Sequence, residues 1–176
     1  MKISILIVVM ISASLIITQT MFGQKIFSDT KDPFTNLRTL STTLSPLYKV
    51  GFTNILQVQT SICLQNDSII SCTLSFITPE VAINIDKVDS TQKDICLLKD
   101  EAGNIYSGKV SSSGSALGYS SYVCTFTRTD FLKLMDSEIT DVKITTITGK
   151  GGLFPIDKKL GDNIANQIKV VLKNSK

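Results

Sequence analysis

The chain has 176 residues, 18 Lys and Arg against 15 Asp and Glu, a net charge of +3 and 43% apolar content. That length suits about one domain with a real core, and so weak a charge, with no basic recognition helix or aromatic-basic strand pattern, argues against nucleic acid as a partner. Histidine and tryptophan are both absent, which removes Ser-His-Asp and Cys-His catalysis and His-containing metal sites, and weakens any stacking platform for sugars.

Met1-Lys2 opens onto an apolar run over residues 3–17, broken only by small residues, and Gly23 stands near its exit. A short positive start, an apolar run and a small exit residue describe an export signal. The run is short for a membrane span, which takes about 20 residues. The expectation is a signal peptide over 1–23, cleaved after Gly23 or alternatively after Thr20, with no integral membrane segment afterwards and a secreted or periplasmic product. An uncleaved anchor is the competing reading.

Residues 24–36 read as a polar lead-in, and 37–176 as a single β-rich domain. Residues 37–44 are rich in Ser and Thr, which favours a strand over the helical spacing of Phe34, Leu37, Leu40 and Leu44; Pro46 is expected to end the segment. Residues 47–50 suit a short edge strand. The strongest signal is residues 55–78. Leu56, Val58, Ile62 and Leu64 alternate with Gln57, Gln59 and Ser61, and then Ile70, Cys72, Leu74 and Phe76 alternate with Ser71, Thr73 and Ser75. Strict alternation means strands with one buried face. Gln65-Asn66-Asp67-Ser68 between them is turn chemistry. Matching apolar rows sets Leu64 opposite Ile70, Ile62 opposite Cys72 and Val58 opposite Phe76.

Residues 81–85 read as a short strand and 86–93 as a polar turn. Residues 94–99 and 104–110 flank a second hairpin in which Gly103 takes a positive φ. The stretch 111–121 is small, polar and glycine-containing, as a flexible loop would be. Residues 121–128 form a strand, Thr129 or Asp130 caps a helical turn or two over 131–135, and 138–147 form another strand, followed by turn glycines at 149, 151 and 152. From Asp157 onward Leu160, Ile164, Ile168, Val171 and Leu172 recur at helical spacing, with Lys158, Lys159, Lys169 and Lys173 outside the stripe.

The DICLLKDEAGNIYSG hairpin, the FTRTDFLKLMDSEITDVKI strand-turn-strand, Asp32-Pro33-Phe34 and the amphipathic terminal helix together resemble small exported proteins of Gram-negative bacteria that have no established activity. The resemblance implies an exported, β-rich domain with a terminal helix and carries over no functional residues.

Candidate chemistry is sparse. Cys63, Cys72, Cys96 and Cys124 could form disulfides in an oxidising compartment, with three connectivities open. Cys72 and Cys124 fall on apolar faces and Cys63 on a polar one, so Cys63 and Cys72 are not expected to pair. Buried free thiols are the plain alternative, and the spacing fits no Cys-only zinc site. Glu80, Asp86, Asp89, Asp94, Asp100 and Glu101 could offer oxygens to calcium, but they match no EF-hand spacing and read as solvated turn residues. A Ser-Lys nucleophile pair using Lys109 and the 111–121 serines, with Tyr119 and Tyr122 nearby, lacks a defining motif. Asn66-Asp67-Ser68 matches a glycosylation acceptor that matters only in a eukaryotic secretory pathway. The basic terminal helix has no aromatic residue for a membrane surface.

The sequence thus predicts an α+β domain: an antiparallel β-sheet of roughly seven strands, arranged as a two-layer β-sandwich-like core, with an amphipathic C-terminal helix packed on it. Its function is expected to be non-catalytic: an exported domain, without cofactor or metal, binding a protein or a cell-envelope component. An extracytoplasmic hydrolase using Ser/Lys or carboxylate chemistry is the alternative.

Overall fold

The computed structural model of the chain describes residues 24–79, 94–147 and 151–176. The leader at 1–23, the strand expected at 81–85, the turn at 86–93 with Asp86 and Asp89, Glu80, and the turn residues Gly149 and Lys150 lie outside the described residues.

Ten strands form one antiparallel sheet: β1 Ile26–Lys31, β2 Leu37–Thr42, β3 Ser45–Val50, β4 Thr53–Gln65, β5 Ser68–Pro79, β6 Ile95–Asp100, β7 Ile105–Ala116, β8 Tyr119–Phe126, β9 Ile139–Thr145 and β10 Gly151–Pro155. Their order is β1-β2-β4-β5-β8-β7-β6-β9-β10, with β3 sharing the β2 edge of β4. Two helices complete the described fold, α1 Arg128–Lys133, continued by a 3-10 turn at Leu134–Asp136, and α2 Asn163–Lys173. The α+β class and the terminal helix agree with the sequence. The strands form one open sheet, without confirmation of the expected two-layer sandwich, and α2 packs over β2, β3 and β4.

The central hairpin forms as the alternation requires. Val58 pairs with Phe76 and Ile62 with Cys72, and all four are buried. At the tip the pairing departs from expectation, because Leu64 faces Ile69 and not Ile70. Asn66 and Asp67 both take positive φ, 50° and 61°. The connection is therefore a two-residue turn whose twist matches the strands, in place of the expected four-residue loop. The one-residue mismatch is absorbed as a bulge at Ile70, which is left exposed.

Other differences have similarly local causes. The lead-in supplies a strand, β1, which pairs antiparallel with β2 as the edge of the sheet. Pro46 lies inside β3, next to an irregularity in its pairing with β4, where a missing N–H is tolerated. The cap of α1 is Thr127, whose Oγ1 accepts from Asp130 N at 3.1 Å. Residues 111–121 are the far half of a long β7–β8 hairpin with a two-residue turn, Leu117-Gly118; small polar side chains suit a strand pair this exposed as readily as a loop. Gly151 and Gly152 open a strand, β10, held by backbone pairing with Thr145 and Ile144.

The terminal helix starts later than its hydrophobic spacing suggests. Lys158–Leu160 is a 3-10 turn, and Gly161 separates it from α2. Ile139 N donates to Gly161 O, and a Cβ at Gly161 would stand 2.7 Å from Glu138 Cγ and 3.0 Å from Ile139 O. The chain must pass β9 at backbone contact before it can turn into a helix. Just upstream, Ile156 N bonds Thr140 O and Asp157 N bonds Leu47 O. The exit from β10 thereby reaches β3, and the sheet curves with α2 against β2, β3 and β4.

α2 buries Ile164, Ala165, Ile168 and Val171, and with them a polar residue, Gln167, which has no exposed surface. Gln167 Nε2 donates to Thr43 O and Val58 O, both at 3.0 Å, and its Oε1 accepts from Thr60 Oγ1 at 2.7 Å. These partners lie where β2 breaks into β3 along β4. Gln167→Leu keeps the volume but strands two buried polar groups, Val58 O and Thr60 Oγ1, and the part-buried Thr43 O, so it should lower unfolding free energy by about 3 kcal/mol. Ile164→Asp should cost a similar amount by burying an unpaired charge. Urea denaturation checks both; an unchanged midpoint in either variant would contradict the packing of α2.

Candidate functional site

Alternation along β6, β7 and β8 sends Ile95, Ser107, Lys109, Ser111 and Thr125 to the face opposite the core. The register then aligns them across strands: Ile95 pairs with Lys109, and Lys109 with Thr125. The outcome is a surface groove of about 670 Å³ lined by Asp94, Ile95, Ser107, Gly108, Lys109, Thr125, Thr127 and Ile147. It continues past Val110 and Ser111.

Most polar groups of the groove are committed to the fold. Asp94 Oδ1 accepts from Ile147 N at 2.8 Å and Asp94 O from Val110 N at 3.2 Å, tying β6 to the end of β9 and to β7. Thr127 caps α1 and donates to Asp130 Oδ2. Ser111 Oγ donates to Val123 O at 3.0 Å and accepts from Thr125 Oγ1 at 3.2 Å. A serine whose proton goes to a backbone carbonyl has no base to activate it. Lys109 is exposed, two residues from Ser111, and makes no salt bridge among the described residues. The groove therefore offers one ammonium, with the Asp94 carboxylate and the Ser107 hydroxyl in the same lining, beside the exposed side chain of Ile147 and the half-buried Ile95. Tyr119 is partly exposed at the far end of β8, whereas Tyr122 is buried, so they do not meet as a pair in this groove.

The four cysteines are free. Cys63 faces outward, half-buried, beside the Thr39 hydroxyl, and Cys72 faces the core from the neighbouring strand; they occupy opposite faces as expected. Cys96 and Cys124 lie close, yet form no disulfide. Their strands are separated by β7, where Gly108 pairs with Cys96 and Val110 with Cys124. Two strand spacings exceed the Cα separation a disulfide accepts, and the Phe126 ring fills the space over Gly108 between them. A Cβ at Gly108 would strike the Phe126 ring at 2.7 Å. Burial raises the Cys72 thiol to about 11, and burial followed by contact with Cys124 raises Cys96 well above its ordinary value.

A second polar cluster closes the β6–β7 turn. Asp100, 5% exposed, accepts from Asn104 Nδ2 and N, both at 2.8 Å, and from Tyr106 Oη at 2.9 Å. Tyr106 Oη also meets Ser137 Oγ at 2.8 Å. The Asn104 side chain, and after it Tyr106, hold the Asp100 carboxyl below its usual range against the opposing effect of burial. Tyr106 is raised: the Ser137 bond acts to lower it, but burial and the bond to Asp100 outweigh that. Glu101 N donates to Glu138 O, so the cluster fastens the turn to the segment before β9. Its work is structural.

No protein-family model, curated protein or solved structure matches the chain.

Alternation alone places Ser107, Lys109 and Thr125 on outward faces. The strand order β8-β7-β6-β9, which assembles them with Ile147, has no signal in local sequence. Two outcomes test this description. A thiol reagent should modify Cys63 in the native protein and Cys72, Cys96 and Cys124 only on unfolding; rapid native labelling of all four would refute the buried assignments. Asp100 has a depressed folded pKa, so its contribution is complete above the unfolded value near 3.8 and disappears as pH falls through the lower folded value. Asp100→Asn should therefore lower stability by about 2 kcal/mol at neutral pH and show a shallower decline than wild type below pH 4, followed by thermal melts across pH 2–7.

Proposed function

We propose that the chain is an exported, non-catalytic binding domain whose ligand, a protein segment or a cell-envelope component, occupies the groove over β6, β7 and β8. The observation that carries this reading is the placing of Lys109 beside the side chains of Ile95 and Ile147 in a groove where the hydroxyls of Ser111, Thr125 and Thr127 already bond the fold. Such a surface suits a ligand with an anionic group beside an apolar portion, since an ammonium anchors the charge and the isoleucines bury the alkyl part. Export rests on the leader at 1–23 and on the likeness to small exported proteins of Gram-negative bacteria, which makes the product secreted or periplasmic after cleavage at Gly23.

The hydrolase reading finds less support. Ser111, two residues from Lys109, directs its proton to Val123 O. Among the described residues no helix is long and apolar enough to cross a membrane.

A short alkyl carboxylate such as hexanoate is the simplest probe. In ¹H–¹⁵N spectra it should shift Ile95, Lys109 and Ile147 saturably, and Lys109→Ala should weaken that response by about tenfold, the loss of one charge-assisted contact. Shifts spread evenly over the surface would overturn the groove assignment. Covalent labelling of Ser111 by a fluorophosphonate would replace it with the hydrolase.

A further inference from the structure

The fold builds the same tight turn twice, with opposite chemistry. At Asn66-Asp67 both residues take positive φ, and both are types that accept it. At Leu117-Gly118 the first position is a leucine held at φ 54°, a conformation unfavourable for a branched aliphatic residue. Leu117 is also 72% exposed, so the core gains nothing from it. Neither local geometry nor burial explains a leucine there.

A second turn repeats the pattern. β3 and β4 are joined at Gly51-Phe52, where Phe52 is fully exposed and Val50 is 57% exposed. The register shows that the two turns are neighbours. β4 begins at Thr53, β5 ends at Pro79, and β8 begins at Tyr119, opposite Pro79. Both turns thus project from the same end of the sheet, on either side of the end of β5. Two strand spacings, about 10 Å, separate β4 from β8. Val50, Phe52, Leu117 and the partly exposed Tyr119 form two adjacent apolar tips.

The tips are convex and together expose on the order of 400 Å², about half of what one side of a standard protein interface buries. A fluid bilayer surface accepts separate convex apolar points where a rigid partner needs a continuous face. Within the turns themselves charge is sparse: residues 48–54 carry one charged side chain, Lys49, and residues 116–121 carry none. The opposite end of the sheet also exposes an aromatic, Phe34, but sets it among Lys31, Asp32, Arg38 and Asp67, a mixed-charge surface unsuited to entering lipid.

We propose that the β3–β4 and β7–β8 turns dock the protein on a lipid bilayer by inserting Phe52 and Leu117 into its interface. This deepens the binding reading by naming a lipid surface as the envelope component, and it rests on that reading only for export, since the contact uses none of the groove residues.

The lack of tryptophan permits a direct test. Phe52→Trp, Leu117→Trp and Phe34→Trp each introduce a single reporter into the full chain. With vesicles of phosphatidylethanolamine and phosphatidylglycerol at 3:1, the first two should shift to the blue and be quenched by brominated acyl chains, while the third should not change. Leu117→Asn should raise the melting temperature by relieving the turn, yet weaken vesicle flotation by about tenfold; Phe52→Ser should weaken it similarly with melting unchanged. No emission shift at position 52 or 117 would overturn the proposal, as would flotation abolished by salt but unaffected by either tip substitution. Lys109→Ala should leave flotation intact, so loss of groove binding and loss of membrane docking are read separately.

Discussion

The fold depends on how α2 is held at a break in the sheet. β2 and β3 are almost one strand along the edge of β4, interrupted at Thr43-Leu44. An interruption leaves backbone groups of both strands without ladder partners, and α2 lies directly over it. Gln167 closes the gap by donating to one carbonyl on each side, Thr43 O and Val58 O, and accepting from Thr60. Thr42 adds its hydroxyl as acceptor for Thr60 N, and Gln59 reaches Thr42 O. A buried polar network is favourable only when every member is satisfied, so the helix can occupy one position against the sheet. Asn163 strengthens this, donating to Pro46 O and accepting from Gln24 Nε2.

From that position follows the rest of the molecule. With α2 over β2, β3 and β4, the chain entering the helix must pass between β9 and β3, which explains the contact of Gly161 with Ile139 and the bond from Asp157 to Leu47. The far half of the sheet curves accordingly, and its inner face is filled by Leu98, Cys96, Tyr106, Cys124 and Phe126. The outer face of β6, β7 and β8 is left uncovered by either helix and carries the groove. The two ends of the sheet differ in character: one has charged turns, and the other has apolar tips. Groove and tips draw on different residues, so a ligand and a surface can be held together.

Several features are legible in residue order alone. Period-two alternation locates the central hairpin, the second hairpin and the faces of Cys63, Cys72 and Cys124, because burial of one sheet face forces that pattern on each strand. The helical stripe of Ile164, Ile168 and Val171 is equally plain. Departures gather where local chemistry is ambiguous. Asn66-Asp67 suits loops of different length, so nothing in the residues announces the bulge at Ile70. The serine-rich half of β7 has the composition of a loop, and only its pairing with β8 makes it a strand.

The sequence by itself determined the strand faces, the terminal amphipathic helix and the absence of histidine chemistry, since each depends on residue type and spacing within a short window. Tertiary structure decided the single open sheet with α2 packed over β2, β3 and β4, the separation of Cys96 from Cys124 by β7, the placing of Lys109 beside Ile95 and Ile147, and the placing of Phe52 beside Leu117. Those depend on strand order and on the bonds of Gln167, which bring together residues far apart in the chain and leave no mark on local periodicity.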